Sequence, residues 1–127
     1  FDILEACVEG KLNTLNIEWE NKFACCVILA SDGYFRKYKK GMPISGIEQA
    51  NKLKDTIVFH SGTALQDKGL PFAAKGNPLV TNGGRVLGVT ATADNLQSAL
   101  DKAYQAVKLI HFAGMQYRTD IGQKSLT

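Results

Sequence analysis

The tripeptide Asn82-Gly83-Gly84 stands between two apolar runs and limits, more than any other feature, what this chain can fold into. The run before it is Leu79–Thr81, and the run after it is Arg85–Thr92. Asn-Gly and Gly-Gly pairs between apolar runs favour tight turns, because such turns need φ > 0. The pattern therefore predicts two strands joined by a tight hairpin.

The same turn carries a candidate anion-binding group. Glycine lets backbone N–H groups come close to a ligand, and the guanidinium of Arg85 follows the two glycines directly. A guanidinium beside bare backbone donors suits a carboxylate or a phosphate. The alternative is a hairpin whose arginine is only solvated, and the turn by itself leaves both interpretations open.

The other periodic segments indicate an α+β domain. Phe23–Ala30 is a continuous apolar run typical of a buried strand, and Thr56–His60 predicts a shorter strand. A long helix follows, capped by Thr92 or Asp94. Its apolar face consists of Leu96, Ala99, Leu100, Ala103, Val107 and Ile110. Strands first and one long helix afterwards favour a small, mainly antiparallel sheet packed by that helix.

The first part of the chain differs from the rest. Phe1–Gly10 repeats apolar residues at helical spacing and stops at a glycine, and residues 11–21 are polar and irregular. We expect residues 1–21 to be the end of a preceding helical element with a linker, and residues 22–127 to form one α+β domain. The chain lacks an initiator Met, which suggests part of a longer polypeptide.

Composition argues against several classes of protein. Charged residues make up 21% of the chain, and the formal net charge is +3. The sequence contains neither a nucleic-acid-binding motif nor an apolar run long enough to span a bilayer. Three cysteines, two of them adjacent, argue against a disulfide framework, and metal-ligand spacing is absent. We therefore expect no metal, nucleic-acid or membrane partner for this chain, and a reducing, cytoplasmic compartment.

Four segments follow one another in a set order along the chain. Their sequences are LASDGY from Leu29, VFHSGT from Val58, TNGGRVLGVT from Thr81 and IHFAGMQYRTDIG from Ile110. Together they resemble the C-terminal domain of phosphoribosylamine–glycine ligases, also called glycinamide ribonucleotide synthetases. The resemblance covers nearly the whole chain, to about Gly122. It implies the small, β-rich rudiment single hybrid module that ends many ATP-grasp ligases.

The resemblance implies an activity for the whole enzyme. Ligases of this family join glycine to 5-phosphoribosylamine in purine biosynthesis and convert ATP to ADP, with Mg²⁺ or Mn²⁺ at the transferring phosphoryl group. The chain lacks the ATP-grasp nucleotide-binding and metal-binding residues. We therefore expect ATP and the metal to bind upstream domains, and the isolated chain to be inactive. A non-catalytic phosphate- or carboxylate-binding module and a structural capping domain stay open as alternatives.

Within that family, the candidate substrate-binding residues lie in the glycine turn and in the basic loop Tyr34–Gly46. They are Arg85, Asn82, Gly83, Gly84 and Lys40. Arg85 would bind the phosphate of phosphoribosylamine or the carboxylate of glycine, or else form a salt bridge to an upstream domain. Tyr34 and Tyr38 could line the same cleft. No residue of the chain is expected to be catalytic.

Two positions depart from the family's pattern. Phe35 stands where a proline usually follows Gly-Tyr, which leaves the conformation of the basic loop open. The segment Gly69–Pro78, with two prolines and two glycines, is longer than the expected hairpin turn. We interpret it as an excursion loop without an assigned role.

Overall fold

A computed structural model describes residues 1–66 and 79–126, so the predicted loop Gly69–Pro78 lies outside the described residues. Within these ranges the helices are α1 (Asp2–Val8), α2 (Ile47–Asn51) and α3 (Leu96–Val107). The strands are β1 (Phe23–Ser31), β2 (Thr56–His60), β3 (Thr63–Leu65), β4 (Leu79–Thr81), β5 (Arg85–Ala93) and β6 (Met115–Gln116). Short 3-10 helices span Leu12–Thr14 and Gln123–Ser125.

Four strands form the main sheet in the order β2-β5-β1-β6, and every pairing in it is antiparallel. β5 is central: it pairs with β1 from Phe23 opposite Ala93 to Leu29 opposite Leu87, and with β2 on its other side. α3 packs against β1 and β5. The predicted α+β class, with a mainly antiparallel sheet packed by one long helix, is confirmed.

The hydrophobic core lies between this sheet and α3. Alternate residues of β1, among them Val27 and Leu29, are fully buried, whereas Ile28 between them is 42% exposed. The continuous apolar run correctly predicted a strand, but the prediction that the whole strand is buried is wrong, because only one of its faces is buried. The buried face of α3 consists of Ala99, Leu100, Ala103, Ala106 and Val107. The N-cap of the helix is Asn95, one residue after the predicted cap Asp94 and three after the predicted cap Thr92, which lies within β5. The side chain of Asn95 is the N-cap and accepts a hydrogen bond of 2.8 Å from the Ser98 N–H.

The predicted hairpin between Leu79–Thr81 and Arg85–Thr92 is wrong. β4 pairs with β3 in a separate two-stranded sheet, whereas β5 belongs to the main sheet. Residues 82–84 therefore carry the chain from one sheet to the other. Neither Gly83 nor Gly84 has a positive φ, so the conformational reason behind the prediction is also wrong. Other groups approach these two residues too closely to leave room for a side chain.

The two ends of the described chain contrast in their packing. No residue of α1 is buried, and this helix lies within the predicted helical segment Phe1–Gly10. Near the other end, the predicted tail contains β6, which pairs Met115 with Ser31 at the edge of the main sheet. The sequence did not predict β6, because a strand of two residues has no periodicity to read.

Candidate functional site

The site is built on the glycine corner, Asn82-Gly83-Gly84, where the chain passes from β4 to β5. The backbone of Gly62 crosses it: the Asn82 N–H donates a hydrogen bond of 2.7 Å to the Gly62 carbonyl. A β-carbon on Gly83 would lie 2.8 Å from the Gly62 α-carbon, closer than real contacts allow. Two backbones thus meet directly at this corner, which explains why both positions are glycine.

Ser31, at the end of β1, donates hydrogen bonds to two carbonyl groups of the corner. Its N–H donates to the Gly84 carbonyl at 2.8 Å, and its hydroxyl donates to the Gly83 carbonyl at 2.9 Å. Within the described residues, neither the Gly83 N–H nor the Gly84 N–H donates to another group. Gly84 is buried, and a buried amide without a partner is the kind of donor that a ligand or an ordered water satisfies.

The ring of Tyr34 covers the corner, and a second aromatic side chain stacks on that ring. A β-carbon on Gly84 would overlap the ring of Tyr34, so that ring lies directly against the glycine. Phe35 stacks on Tyr34 with ring centroids 4.3 Å apart and planes at 27°. Phe35 has a φ of +81°, which is rare for a bulky residue and closed to proline, whose ring holds φ near −65°. Phe35 therefore adopts a backbone conformation that a proline at this position could not adopt.

Arg85 follows the corner directly and lies next to an irregularity in the pairing of β1 with β5. The pairing passes from Leu29 opposite Leu87 to Ala30 opposite Arg85, so Val86 is an extra residue in β5. This β-bulge buries Val86 and Leu87 in succession and leaves Arg85 exposed. In the described parts of the chain, the guanidinium of Arg85 has no hydrogen bond or ion pair.

The backbone of the basic loop holds Lys40 at the same end of the molecule. The Gly41 N–H donates to the Thr81 carbonyl at 2.7 Å, and the Met42 N–H donates to the Thr81 hydroxyl at 3.1 Å. Thr81 is buried and immediately precedes Asn82. Four of the five predicted residues are contiguous in sequence, and the residue after Lys40 bonds the residue that precedes them. The side chain of Lys40 is exposed.

A cleft of about 540 Å³ adjoins the corner, and Ser31 lines it. Lys37, Tyr38 and Lys39 of the basic loop lie in its wall. Neither Lys40 nor Arg85 is among the described residues that line this cleft. It offers two ammonium groups, but they are separate from the guanidinium at the corner.

Three contributors to the site were not predicted. The sequence assigned no role to Ser31 or Gly62, and it left the conformation at Phe35 open. Each role arises from contacts between segments distant in sequence, and no local pattern marks them. The Ser-Asp-Gly sequence at the end of β1 is the one signal that could have pointed to Ser31, since serine at a strand end often bonds a neighbouring backbone.

The adjacent cysteines lie in β1, away from the corner. Cys25 is buried and Cys26 is exposed, and both are free thiols. Burial, with a smaller contribution from the neighbouring Cys26, raises the pKa of the Cys25 thiol. A protonated thiol is a poor nucleophile, so Cys25 behaves as a small core residue.

In the described part of the chain, no group of three His, Cys, Asp or Glu side chains could hold a metal ion. No described helix is long and apolar enough to cross a membrane.

Known proteins match the chain over most of its length. Residues 24–124 match the model of the family described as "Phosphoribosylglycinamide synthetase, C domain". A bifunctional purine biosynthetic protein of Dictyostelium discoideum is 43% identical over 126 residues, which are 99% of this chain and 14% of that protein. A phosphoribosylamine–glycine ligase of Caldanaerobacter subterraneus is 43% identical over 120 residues, 94% of this chain and 26% of that enzyme.

The fold also matches a solved structure. The crystal structure of the phosphoribosylamine–glycine ligase from Thermotoga maritima superimposes with a TM-score of 0.66 and 30% sequence identity. The match covers 92% of this chain and 27% of that one. This chain therefore spans about a quarter of the length of the ligases it matches.

Proposed function

The chain belongs to the phosphoribosylglycinamide synthetase C-domain family, and on this basis we propose that it serves in an ATP-dependent ligase that joins glycine to 5-phosphoribosylamine in purine biosynthesis. Residues 22–127 would be the C-terminal α+β domain, and residues 1–21 the end of the preceding element with its linker. The family match from residue 24 and the start of β1 at Phe23 support this division.

The observation that carries a role in substrate binding is a guanidinium next to two backbone amides, none of which has a hydrogen-bonding partner among residues 1–66 and 79–126. Arg85 follows Gly83 and Gly84, and their N–H groups donate to no described residue. Such an arrangement can give charge-assisted hydrogen bonds to the phosphate of phosphoribosylamine or to the carboxylate of glycine. Asn82 supplies an exposed amide and Lys40 a second positive charge at the same end.

The domain would bind and orient substrate while other domains supply the chemistry. In the reaction, the γ-phosphoryl group of ATP passes to the glycine carboxylate, ADP leaves, and the amine of phosphoribosylamine displaces phosphate from the carbonyl carbon with loss of a proton. Mg²⁺ or Mn²⁺ would neutralise the transferring group in the ATP-binding domains. The enzyme would act in the cytoplasm.

Steady-state kinetics of the full-length ligase with Arg85→Ala test the proposed site. Loss of a charge-assisted hydrogen bond should lower kcat/KM by about ten- to a hundred-fold. Arg85→Lys should recover only part of the loss, because an ammonium cannot reproduce the bidentate geometry. Lys108→Ala, which removes an exposed charge at the end of α3, is the control and should leave kinetics unchanged.

The two substrates give different outcomes. A selective rise in KM for phosphoribosylamine assigns the sugar phosphate to Arg85, and a selective rise for glycine assigns the carboxylate. Unchanged kinetics with a lower melting temperature remove Arg85 from the site and favour a salt bridge to another domain. Turnover of ATP and glycine by residues 1–127 alone would contradict the assignment of the chemistry to other domains.

A further inference from the structure

One face of the main sheet presents an apolar patch to solvent. In the sheet register, Ile57 of β2 lies opposite Thr90 of β5, and Thr90 lies opposite Cys26 of β1. In the next row, Phe59, Gly88 and Ile28 stand in line. Directly opposed residues of neighbouring strands project to the same side of a sheet. We call this set of six the outer face.

The outer face is contiguous across three strands. A β-carbon on Gly88 would lie 3.3 Å from the Cys26 sulfur, 3.6 Å from Ile28 Cδ1 and 4.0 Å from Phe59 Cβ. The side chains of neighbouring strands therefore converge over this glycine. Ile57, Phe59 and Ile28 remain 55%, 54% and 42% exposed, although each is strongly hydrophobic.

The chemistry of the outer face is that of a buried surface. None of its six residues is charged. An antiparallel sheet with one face in water ordinarily alternates apolar residues toward the core with polar residues toward solvent. Here β1 and β2 place apolar side chains on both sides. The ligand class that fits is an apolar protein surface, since no side chain of this face carries a positive charge that would attract a phosphate or another anion.

We propose that the remaining part of the same ligase polypeptide packs on the outer face. This inference rests on the proposed function, in which the chain is one domain of a longer enzyme. A matched ligase is about four times as long as the match, which covers 26% of it, so most of such a polypeptide is available as the occupant.

The size of the patch favours a tethered partner over a second copy of the chain. Three half-exposed side chains offer about 300 Å² of apolar area, taking an aromatic side chain as about 150–250 Å². A stable interface between free proteins buries about 800 Å² on each partner. Domains of one polypeptide need less, because the tether keeps their effective concentration high.

Cys26 provides a probe already present on the outer face. Its thiol is exposed, whereas the neighbouring Cys25 is buried on the other side of the sheet. The experiment measures alkylation by iodoacetamide of the full-length ligase in a Cys7→Ser, Cys25→Ala background, followed by mass spectrometry of the peptide that contains position 26. The same protein in denaturing urea gives the unprotected rate.

We expect Cys26 to react at least about ten-fold more slowly in the folded ligase than in urea. Phe59→Asp should restore fast alkylation, because a charge at the centre of the face opposes packing. Leu65→Asp is the matched control: Leu65 is 74% exposed but lies in β3, outside the outer face, and this substitution should leave the protection unchanged. Circular dichroism of each variant verifies that the fold is retained.

Alkylation at the unprotected rate in the folded, wild-type-like ligase would overturn the proposal. So would protection that disappears on dilution, because that would identify a second copy as the occupant. A ligase assay on the same samples separates this inference from the proposed function. Activity without protection refutes the interface alone, and protection without glycine- and phosphoribosylamine-dependent activity refutes the function alone.

Discussion

The ring of Tyr34 lies against the α-carbon of Gly84 with no space between them for a side chain. Phe35 stacks on Tyr34, and Ser31 bonds the Gly84 carbonyl at 2.8 Å. This contact fixes the backbone at the residue immediately before Arg85. The position of the candidate anion-binding group thus depends on an aromatic side chain about fifty residues earlier in the sequence.

Gly84→Ala should destabilise the domain by about 1–3 kcal/mol, because the new methyl group must displace the Tyr34 ring. Combined with Tyr34→Ala, the same substitution should cost much less, and urea unfolding of the four proteins in this double-mutant cycle measures the difference. Gly88→Ala is the comparison and should cost less, because its new methyl group would meet a cysteine sulfur at 3.3 Å, a tight contact but not an overlap. Strict additivity of the two substitutions would contradict the contact.

Leu100→Ala should destabilise the domain by about 2–5 kcal/mol. Leu100 is 4% exposed on the inner face of α3, and the tail at Gly122 packs against its methyl groups. Asp101→Ala, one residue further on, should change stability by less than about 0.5 kcal/mol, because its only described side-chain partner is the exposed amide of Gln97. Equal effects in urea unfolding would show that the helical phase is wrong.

Lowering the pH should decrease the folding stability of the domain, partly because Asp55 becomes protonated. Lys102 Nζ donates to Asp55 Oδ2 at 2.7 Å, and this hydrogen bond, helped by the lysine charge, lowers the pKa of the Asp55 carboxyl below its ordinary value. A lowered pKa in the folded state stabilises the fold above the unfolded-state pKa, near 4, and that stabilisation is lost as the pH falls through the folded-state value.

Asp55→Asn isolates this contribution. Asp55 has a φ of +59°, which asparagine also tolerates, so the backbone should be unaffected. The stability difference between wild type and Asp55→Asn should shrink as the pH falls from about 6 to about 2, as measured by urea midpoints. A difference that does not change with pH would exclude Asp55 as a titrating contributor.

Asn95→Ala should cost about 1 kcal/mol, because the N-cap of α3 would lose its side-chain acceptor for the Ser98 N–H. Asn95→Asp keeps that acceptor and should preserve most of the stability. Thermal unfolding of both variants tests the assignment against the two predicted caps. If Asp94→Ala proved the more damaging change, the cap would lie one residue earlier.

The elements that the sequence predicted well are those whose signal is local. The apolar run Phe23–Ala30 lies within β1, and the apolar face at Leu100 and Ala103 marks α3. Strand pairing was less accessible, because it depends on contacts between distant segments. Gly83 and Gly84 illustrate the limit. A glycine can be required for a positive φ or for the close approach of another group, and the sequence alone does not show which of the two reasons applies.

The candidate site shows the same division. Arg85, its glycines and Lys40 were recognised from residue types and order. Ser31 and Gly62 were missed as parts of the site, because their roles exist only once β1, the crossing at Gly62 and the glycine corner are assembled. The exposure of Arg85 depends on the bulge at Val86, which has no signature in a uniformly apolar run.

The backbone crossing of Gly62 and Gly83 has an evolutionary consequence. Most packing contacts can drift, because a larger residue on one side is offset by a smaller one on the other. Here both partners are already the smallest residue, and a β-carbon on either would lie within 3.0 Å of the other's backbone. No change at one position can rescue a change at the other. In related proteins that keep this crossing, the two sites should remain fixed and show no covariation.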